Sequence, residues 1–296
     1  MGTYSTGVVS KGSLFPAELV KEMFNNVKGH SSLARLSQQS PVEFNGNDIM
    51  VFSMEDEVAL LGENESKAAG SVSITPVQMA PVKIEYGARV SDEFLYASEE
   101  KQIDMLSQFA EGYAKKVARG LDIMAMHGVN PRTGSSSALI GTNSLDTNTD
   151  VTAITPASPA DPLADLESAI TAIGDADVTG YALSKSFASA LSGVTVGNTV
   201  PFAAFALGGN PGALNGVNAD VNSTVSFNSS GIDAYIGDFA NAFKWGYAKD
   251  IPLEIIPYGD PDNAGKDLKG YNQVYLRAET FIAWAILDGT AFSRIG

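Results

Sequence analysis

Ser98-Glu-Glu-Lys-Gln-Ile-Asp-Met-Leu-Ser-Gln-Phe-Ala-Glu-Gly-Tyr-Ala-Lys-Lys-Val-Ala-Arg-Gly-Leu-Asp-Ile-Met-Ala-Met-His127 contains no proline, and Ile103, Leu106, Ala110, Tyr113, Val117, Leu121 and Met124 step by three or four residues. That spacing predicts one continuous amphipathic helix. Ser98 stands where a cap belongs, Glu99 and Glu100 at the positive end, Lys115, Lys116 and Arg119 toward the negative end, and Gly128 where the helix must stop. A helix of this length runs roughly 45 Å, against a radius of gyration of about 19 Å for a compact chain of this size. It crosses nearly the whole molecule, so the rest of the chain must be arranged along it.

Upstream, Pro16 to Phe24 places Leu19, Val20, Met23 and Phe24 on one side of a short predicted helix, with Gly29 beyond it, and Leu33 to Leu36 is a second short apolar segment. Val42-Glu-Phe44 and Ile49-Met-Val-Phe52 flank Asn45-Gly46-Asn47, which predicts a tight strand reversal. Between Ser53 and Gly70, Glu55, Asp56, Glu57, Glu63 and Glu65 face the single Lys67, so an acidic mobile loop is expected. Extended chain resumes at Ser71 to Thr75, Val82 to Tyr86 and Ala88 to Ser91, and Pro76 and Pro81 suit a sheet edge. Two extended arms joined by a charged tip predict a projecting hairpin.

Downstream, Gly128 to Pro162 is loop-like. Asp161-Pro162 opens a helix carrying Leu163, Leu166, Ile170 and Ile173, stopped at Gly174. Tyr181 to Leu183 is predicted as a strand and Lys185 to Leu191 as a helix. Thr224 to Phe227, Ala234 to Gly237, Phe243 to Tyr247, Leu253 to Ile256 and Gln273 to Ala278 complete the expected strands. The fold class is α+β, without a fixed-period repeat.

Composition narrows the function. The 296 residues carry 19 Lys+Arg against 34 Asp+Glu, a net charge of −15, which disfavours a general binder of nucleic acid or anionic membrane. Zero cysteines and two histidines remove disulfides, thiol nucleophiles, iron–sulfur clusters and cysteine–histidine zinc sites. No signal-like apolar run follows Met1 to Ser13, and the most apolar stretch, Thr280 to Leu287, stops at Asp288, short of the ~18 residues a span requires. A soluble protein of a reducing compartment is expected.

Motifs for chemistry are equally sparse. Gly259 to Lys266 has the wrong spacing for a phosphate loop, and Leu207 to Gly212 the wrong spacing for a dinucleotide fingerprint. Asp146, Asn148 and Asp150, and Asp260 with Asp262 and Gly265, imitate the start of calcium loops, but the closing positions are Ala157 and Tyr271. Gly134-Ser-Ser-Ser137 lacks the last glycine of a nucleophile elbow. His127, at the helix end, is expected to meet terminal carbonyls and the dipole. An acidic carboxylate-dependent hydrolase stays open, because sequence spacing does not report the separation of carboxylates in space. No catalytic, cofactor or metal site is predicted. Protrusions that bury little within their own subunit point instead to self-assembly.

The chain resembles the major capsid protein of tailed bacteriophages, the Hong Kong 97 fold. The likeness is carried by Ile236-Gly-Asp-Phe239, Gly246, Ile251-Pro-Leu-Glu-Ile255, Tyr275-Leu-Arg-Ala-Glu279 and Ala285-Ile-Leu-Asp-Gly-Thr-Ala-Phe292, in that order. It implies an N-terminal arm (1–40), an extended hairpin loop (41–91), a peripheral domain (92–156) containing the spine helix (98–127), an axial α/β domain (157–267), and C-terminal strands (268–296) completing both domains. It implies a structural protein without enzymatic activity or cofactor, a homo-oligomer whose pentamers and hexamers close an icosahedral shell around double-stranded DNA. Scaffolding, portal and decoration proteins are implied partners, the virion the location, and the host bacterial cytoplasm the place of assembly; no membrane is involved. Some members carry a cleaved scaffolding segment of about a hundred residues before the arm; here Met1 opens the arm, so a separate scaffolding protein is expected unless the numbering omits that segment. An encapsulin-like bacterial nanocompartment is the alternative within the same fold.

Candidate inter-subunit contacts are Phe15 and Phe24 in the arm and Glu55, Asp56, Glu57, Glu63, Glu65 and Lys67 in the loop. The type member joins subunits covalently through a lysine of the extended loop and a neighbour's asparagine, which makes Lys67 the cross-link candidate; the plainer role is a solvated lysine offsetting acids.

Overall fold

A computed structural model describes residues 30–296, apart from residues 55, 64, 68, 98 and 159. The predicted helix Pro16 to Phe24, the contact candidates Phe15, Phe24 and Glu55, and the cap Ser98 lie outside the described residues. In chain order the elements are α1 (Ser32–Leu36), β1 (Asn47–Met54), β2 (Val72–Met79), β3 (Val82–Ser91), α2 (Glu99–His127), β4 (Thr152–Ile154), α3 (Pro162–Ala172), β5 (Gly180–Leu183), α4 (Lys185–Ser192), β6 (Ala213–Leu214), β7 (Val217–Val221), β8 (Ala234–Gly237), β9 (Phe243–Ile256), β10 (Gln273–Ile286) and β11 (Phe292–Ile295), with short 3₁₀ turns between.

α2 is the predicted long helix, 29 residues without a break. Gly128 ends it at φ +68°, a left-handed conformation that costs glycine little, while its amide closes the last turn on the Met124 carbonyl at 2.9 Å. The apolar stripe meets two partners. Leu106 packs with Val274 and Leu276 of β10, and Leu121, Met124 and Ala125 enter the largest core with Leu33, Tyr235, Trp245 and Trp284.

Three sheets follow. β1 and β2 form an antiparallel ribbon; β3, β10 and β9 form a sheet with β10 central; and β4, β11, β8, β5, β7 and β6 form a mixed sheet in that order. The six-stranded sheet packs with α3 and α4 around Leu166, Ile173, Leu183, Phe187, Leu191, Phe205, Ile236 and Ile295. Both helices start as their sequences indicate. The Asp161 carboxylate accepts from the Leu163 and Ala164 amides, and the Ser184 hydroxyl accepts from Phe187.

Several expectations are corrected. Val42 to Phe44 is not a strand: Asn47 ties the segment into a turn by accepting from the Glu43 amide and donating to the Pro41 carbonyl, each at 2.9 Å, and β1 pairs with β2 instead. Val82 to Ser91, expected within the extended loop, pairs along its length with β10. Phe243 to Tyr247 and Leu253 to Ile256 are one strand with shifts of register, in the three-stranded sheet. β4 lies in the six-stranded sheet beside β11. β10 runs on past Ala278 to Ile286, because both its faces are buried there and the alternation that marks a half-buried strand disappears. Thr224 to Phe227 is turn rather than strand, held by an Asn222 side chain that accepts from the Thr224 amide.

Candidate assembly surface

The β1–β2 ribbon is antiparallel with Met50 opposite Pro76, Phe52 opposite Ile74 and Met54 opposite Val72. Directly opposed residues share a face, so these six form one apolar strip. The strip is uncovered: Phe52 is 56% exposed and Ile74 62%. The other face is seated at the ribbon's base, where Ile49, Val77 and Met79 pack with Val42, Ala283 and Ala285, and Phe44 meets Phe281 edge-on at 5.0 Å between centroids. A two-stranded ribbon is marginal alone, and a contiguous apolar face of this kind is a mark of an interaction surface.

Beyond the strip lies the acidic segment, whose described residues are all exposed. Asp56 is fixed: the Ser71 amide donates to it at 2.6 Å and the Ser71 hydroxyl at 2.8 Å, and these bonds, the backbone one first, hold its carboxyl below the usual carboxylate range. Glu65 accepts from the Gly62 amide at 2.8 Å. Glu57, Glu63 and Lys67 project into solvent, and among the described residues Lys67 forms no ion pair. Val58 and Leu60 stand fully open between the acids, Leu60 at 99%. The strip escaped the sequence expectation, although its signal was present: Met50, Phe52 and Met54 fill the positions a strand with one wet face gives to polar residues.

Elsewhere several carboxylates are occupied structurally. Asp260 and Asp262 both take Arg89, and Asp260 also accepts from the Ala264 and Gly265 amides. Asp146 accepts from His127 Nδ1 and the Tyr235 hydroxyl at 2.8 Å each and pairs with Arg294. His127 therefore bonds across to a loop and to the Thr224 carbonyl rather than capping its own helix, because its ring is buried against them. In the three-stranded sheet Lys83 pairs with Glu279 and Arg277 with Glu254. Among the described residues no group of three or more acids and histidines could hold a metal ion, and no helix is long and apolar enough to cross a membrane.

No family model and no curated protein matches the chain. Solved structures do. A chain from the capsid of an empty GTA particle is 16% identical with a TM-score of 0.57, covering 90% of this chain and 89% of that one. The fold is thus one that capsid subunits adopt. More particular is the likeness to a chain from Mycobacterium phage Ogopogo, 28% identical with a TM-score of 0.74 over 90% of this chain and 91% of that one. A chain from Gordonia phage Cozz is 22% identical with a TM-score of 0.72, covering 90% and 86%. Over nine-tenths of its length the chain shares its fold with these bacteriophage chains and with the GTA capsid chain.

Proposed function

We propose that this chain is the major capsid protein of a tailed bacteriophage, assembling as pentamers and hexamers into an icosahedral shell around double-stranded DNA. The observation that carries the proposal is the β1–β2 ribbon with its uncovered apolar strip, on a fold shared with capsid subunits. In this reading the arm expected at residues 1–40 is confined to the chain before residue 30, because Leu33, Ala34 and Leu36 are buried in the core of their own subunit, and the ribbon is the extended loop lying over the adjacent one. α2 is the spine of the peripheral part, and the six-stranded sheet with α3 and α4 is the axial part gathered about the symmetry axes. Burying the strip against a neighbour removes water from several large side chains, each contributing on the order of 1.5–3 kcal/mol when fully covered. Repeated around a lattice, such contacts add into a closed shell.

The net charge of −15 suits a container, since a strongly basic lining would bind packaged DNA and hinder its release. The role is structural and not enzymatic, and the described acids of the ribbon tip are exposed to solvent rather than buried. Scaffolding, portal and decoration proteins are the further partners this role implies, with assembly in the host bacterial cytoplasm and the virion as destination. Lys67, exposed in the tip, is the candidate for a covalent link to a neighbour.

Expression of the chain alone, followed by electron microscopy and light scattering on one fraction, tests the proposal. Closed particles or rings of five or six are expected. A compact monomer that stays monomeric with scaffolding protein from the same source would refute it, and particles filled with protein cargo instead of DNA would indicate a nanocompartment.

A further inference from the structure

Residues 30–42 form a strap that touches both larger sheets and the long helix. At one end the Ser31 hydroxyl and the Ser32 and Leu33 amides donate to Asp122 of α2, the amides at 3.0 and 3.2 Å. Next, the Ser32 hydroxyl and Arg35 bind Asp220 of β7, and Leu36 packs at Gly180 of β5. At the other end the Ser40 amide donates to the Trp245 carbonyl of β9 at 2.8 Å, and Val42 enters the cluster at the ribbon base. The strap therefore joins the six-stranded sheet to the three-stranded one.

Asp122 is the unusual member. Its side chain has no exposure, and its donors are all neutral: Ser31, the two strap amides, the Thr224 hydroxyl at 2.9 Å and the Asn222 amide at 3.4 Å. Among the described residues no cation forms an ion pair with it. The charged groups nearby are engaged elsewhere. Asp220 holds Arg35 and Asn210, Arg119 of α2 reaches Ser223, and the Thr224 carbonyl leads to His127, which pairs with Asp146 beside Tyr235 and Arg294. His30, at the strap's start, is exposed, and its carbonyl accepts from Asn222. A buried charge with only neutral donors is disfavoured, whereas a protonated carboxyl can donate to Ser31 or Thr224, whose hydroxyls accept as readily as they donate.

We propose that proton uptake at Asp122 sets how tightly the strap is docked, so that the two sheets are held together more firmly in weak acid than at neutral pH. Burial pushes this carboxyl up from 3.8 to about 6 against the lowering pull of its hydrogen bonds. A carboxyl released to water returns to the ordinary value, so the docked state binds the proton more readily. The proton's contribution to docking is complete below the ordinary value of 3.8 and is lost as pH rises through about 6, so docking is favoured about tenfold more at pH 5 than at 7.5.

Hydrogen exchange of the full chain at pH 5.0 and 7.5, corrected for intrinsic rates, tests this. Protection of the 30–42 amides is expected to be about tenfold greater at pH 5.0 than at 7.5, relative to the amides of β8. D122N, a neutral mimic, should abolish that difference. T224V keeps the carboxylate but removes one donor, and should move the midpoint of the response to higher pH. Equal protection at both pH values overturns the proposal, as does an undiminished pH response in a folded D122N. Should D122N not fold, an unchanged midpoint in T224V overturns it.

Discussion

A Cβ built on Gly246 would stand 2.0 Å from the carbonyl oxygen of Ser40 and 2.8 Å from a methyl of Val42. The strap crosses β9 at that point, and the obstacle is backbone, which cannot swing aside as a side chain would. G246A should therefore lift the strap from the sheet or bend β9, at a cost of about 1–3 kcal/mol for forced overpacking. Denaturant unfolding of the subunit reads that loss directly. G270A is the control, because a Cβ at that exposed glycine meets nothing within 4 Å.

The uncovered strip separates assembly from folding. Phe52 and Ile74 face solvent, so F52S with I74S should change subunit stability by no more than about 0.5 kcal/mol each. In a shell the same replacements remove apolar burial at every copy, and particle yield should fall at least tenfold in electron micrographs and light scattering. An equal loss of subunit stability would place the strip in the subunit core instead.

Arg89 organises the turn after β9. Its guanidinium binds Asp262 through Nε at 2.9 Å, reaches Asp260 at 2.6 Å, and holds the Asp262 carboxyl down to about 2, chiefly through the side-chain hydrogen bond. Since the folded value is depressed, the pairing stabilises above the ordinary carboxylate range and is lost as pH falls from there through about 2. In R89Q, carboxyl carbon shifts should show Asp262 titrating in the ordinary range again. A titration unchanged from the wild type would contradict the pairing.

The parts legible in the sequence were those whose signals are local. α2 announced itself by spacing and by Gly128, and α3 by Asp161 with Pro162 at its start. Illegible were features fixed by distant partners. The continuity of β10 through Ile286 depends on burial of both its faces, and the assignment of β3 depends on which distant strand it meets. Val42 to Phe44 read as a strand because apolar alternation over three residues does not distinguish one from a packed turn. At the candidate surface the acids of the tip were visible as composition, while the apolar strip required the register of β1 against β2, which places Phe52 opposite Ile74.

His127 supplies the last expectation. Nδ1 faces Asp146 and Nε2 faces the Thr224 carbonyl, each at 2.8 Å, so both ring nitrogens stand opposite oxygen atoms. Burial would raise the Asp146 carboxyl, but the hydrogen bond and charge of His127, with Tyr235 and Arg294, hold it below its ordinary value. H127A leaves a buried carbonyl without its donor and strips Asp146 of its shortest charged partner, so unfolding should cost less by about 3–5 kcal/mol. The stabilisation from Asp146 is present above the ordinary carboxylate value and disappears as pH falls through the depressed one. With the histidine gone the depression shrinks, and the acid unfolding midpoint should move to higher pH. H127Q restores a single donor and should recover part of the stability at pH 7 while leaving the acid midpoint raised; recovery of both would mean that the charge of the ring contributes nothing.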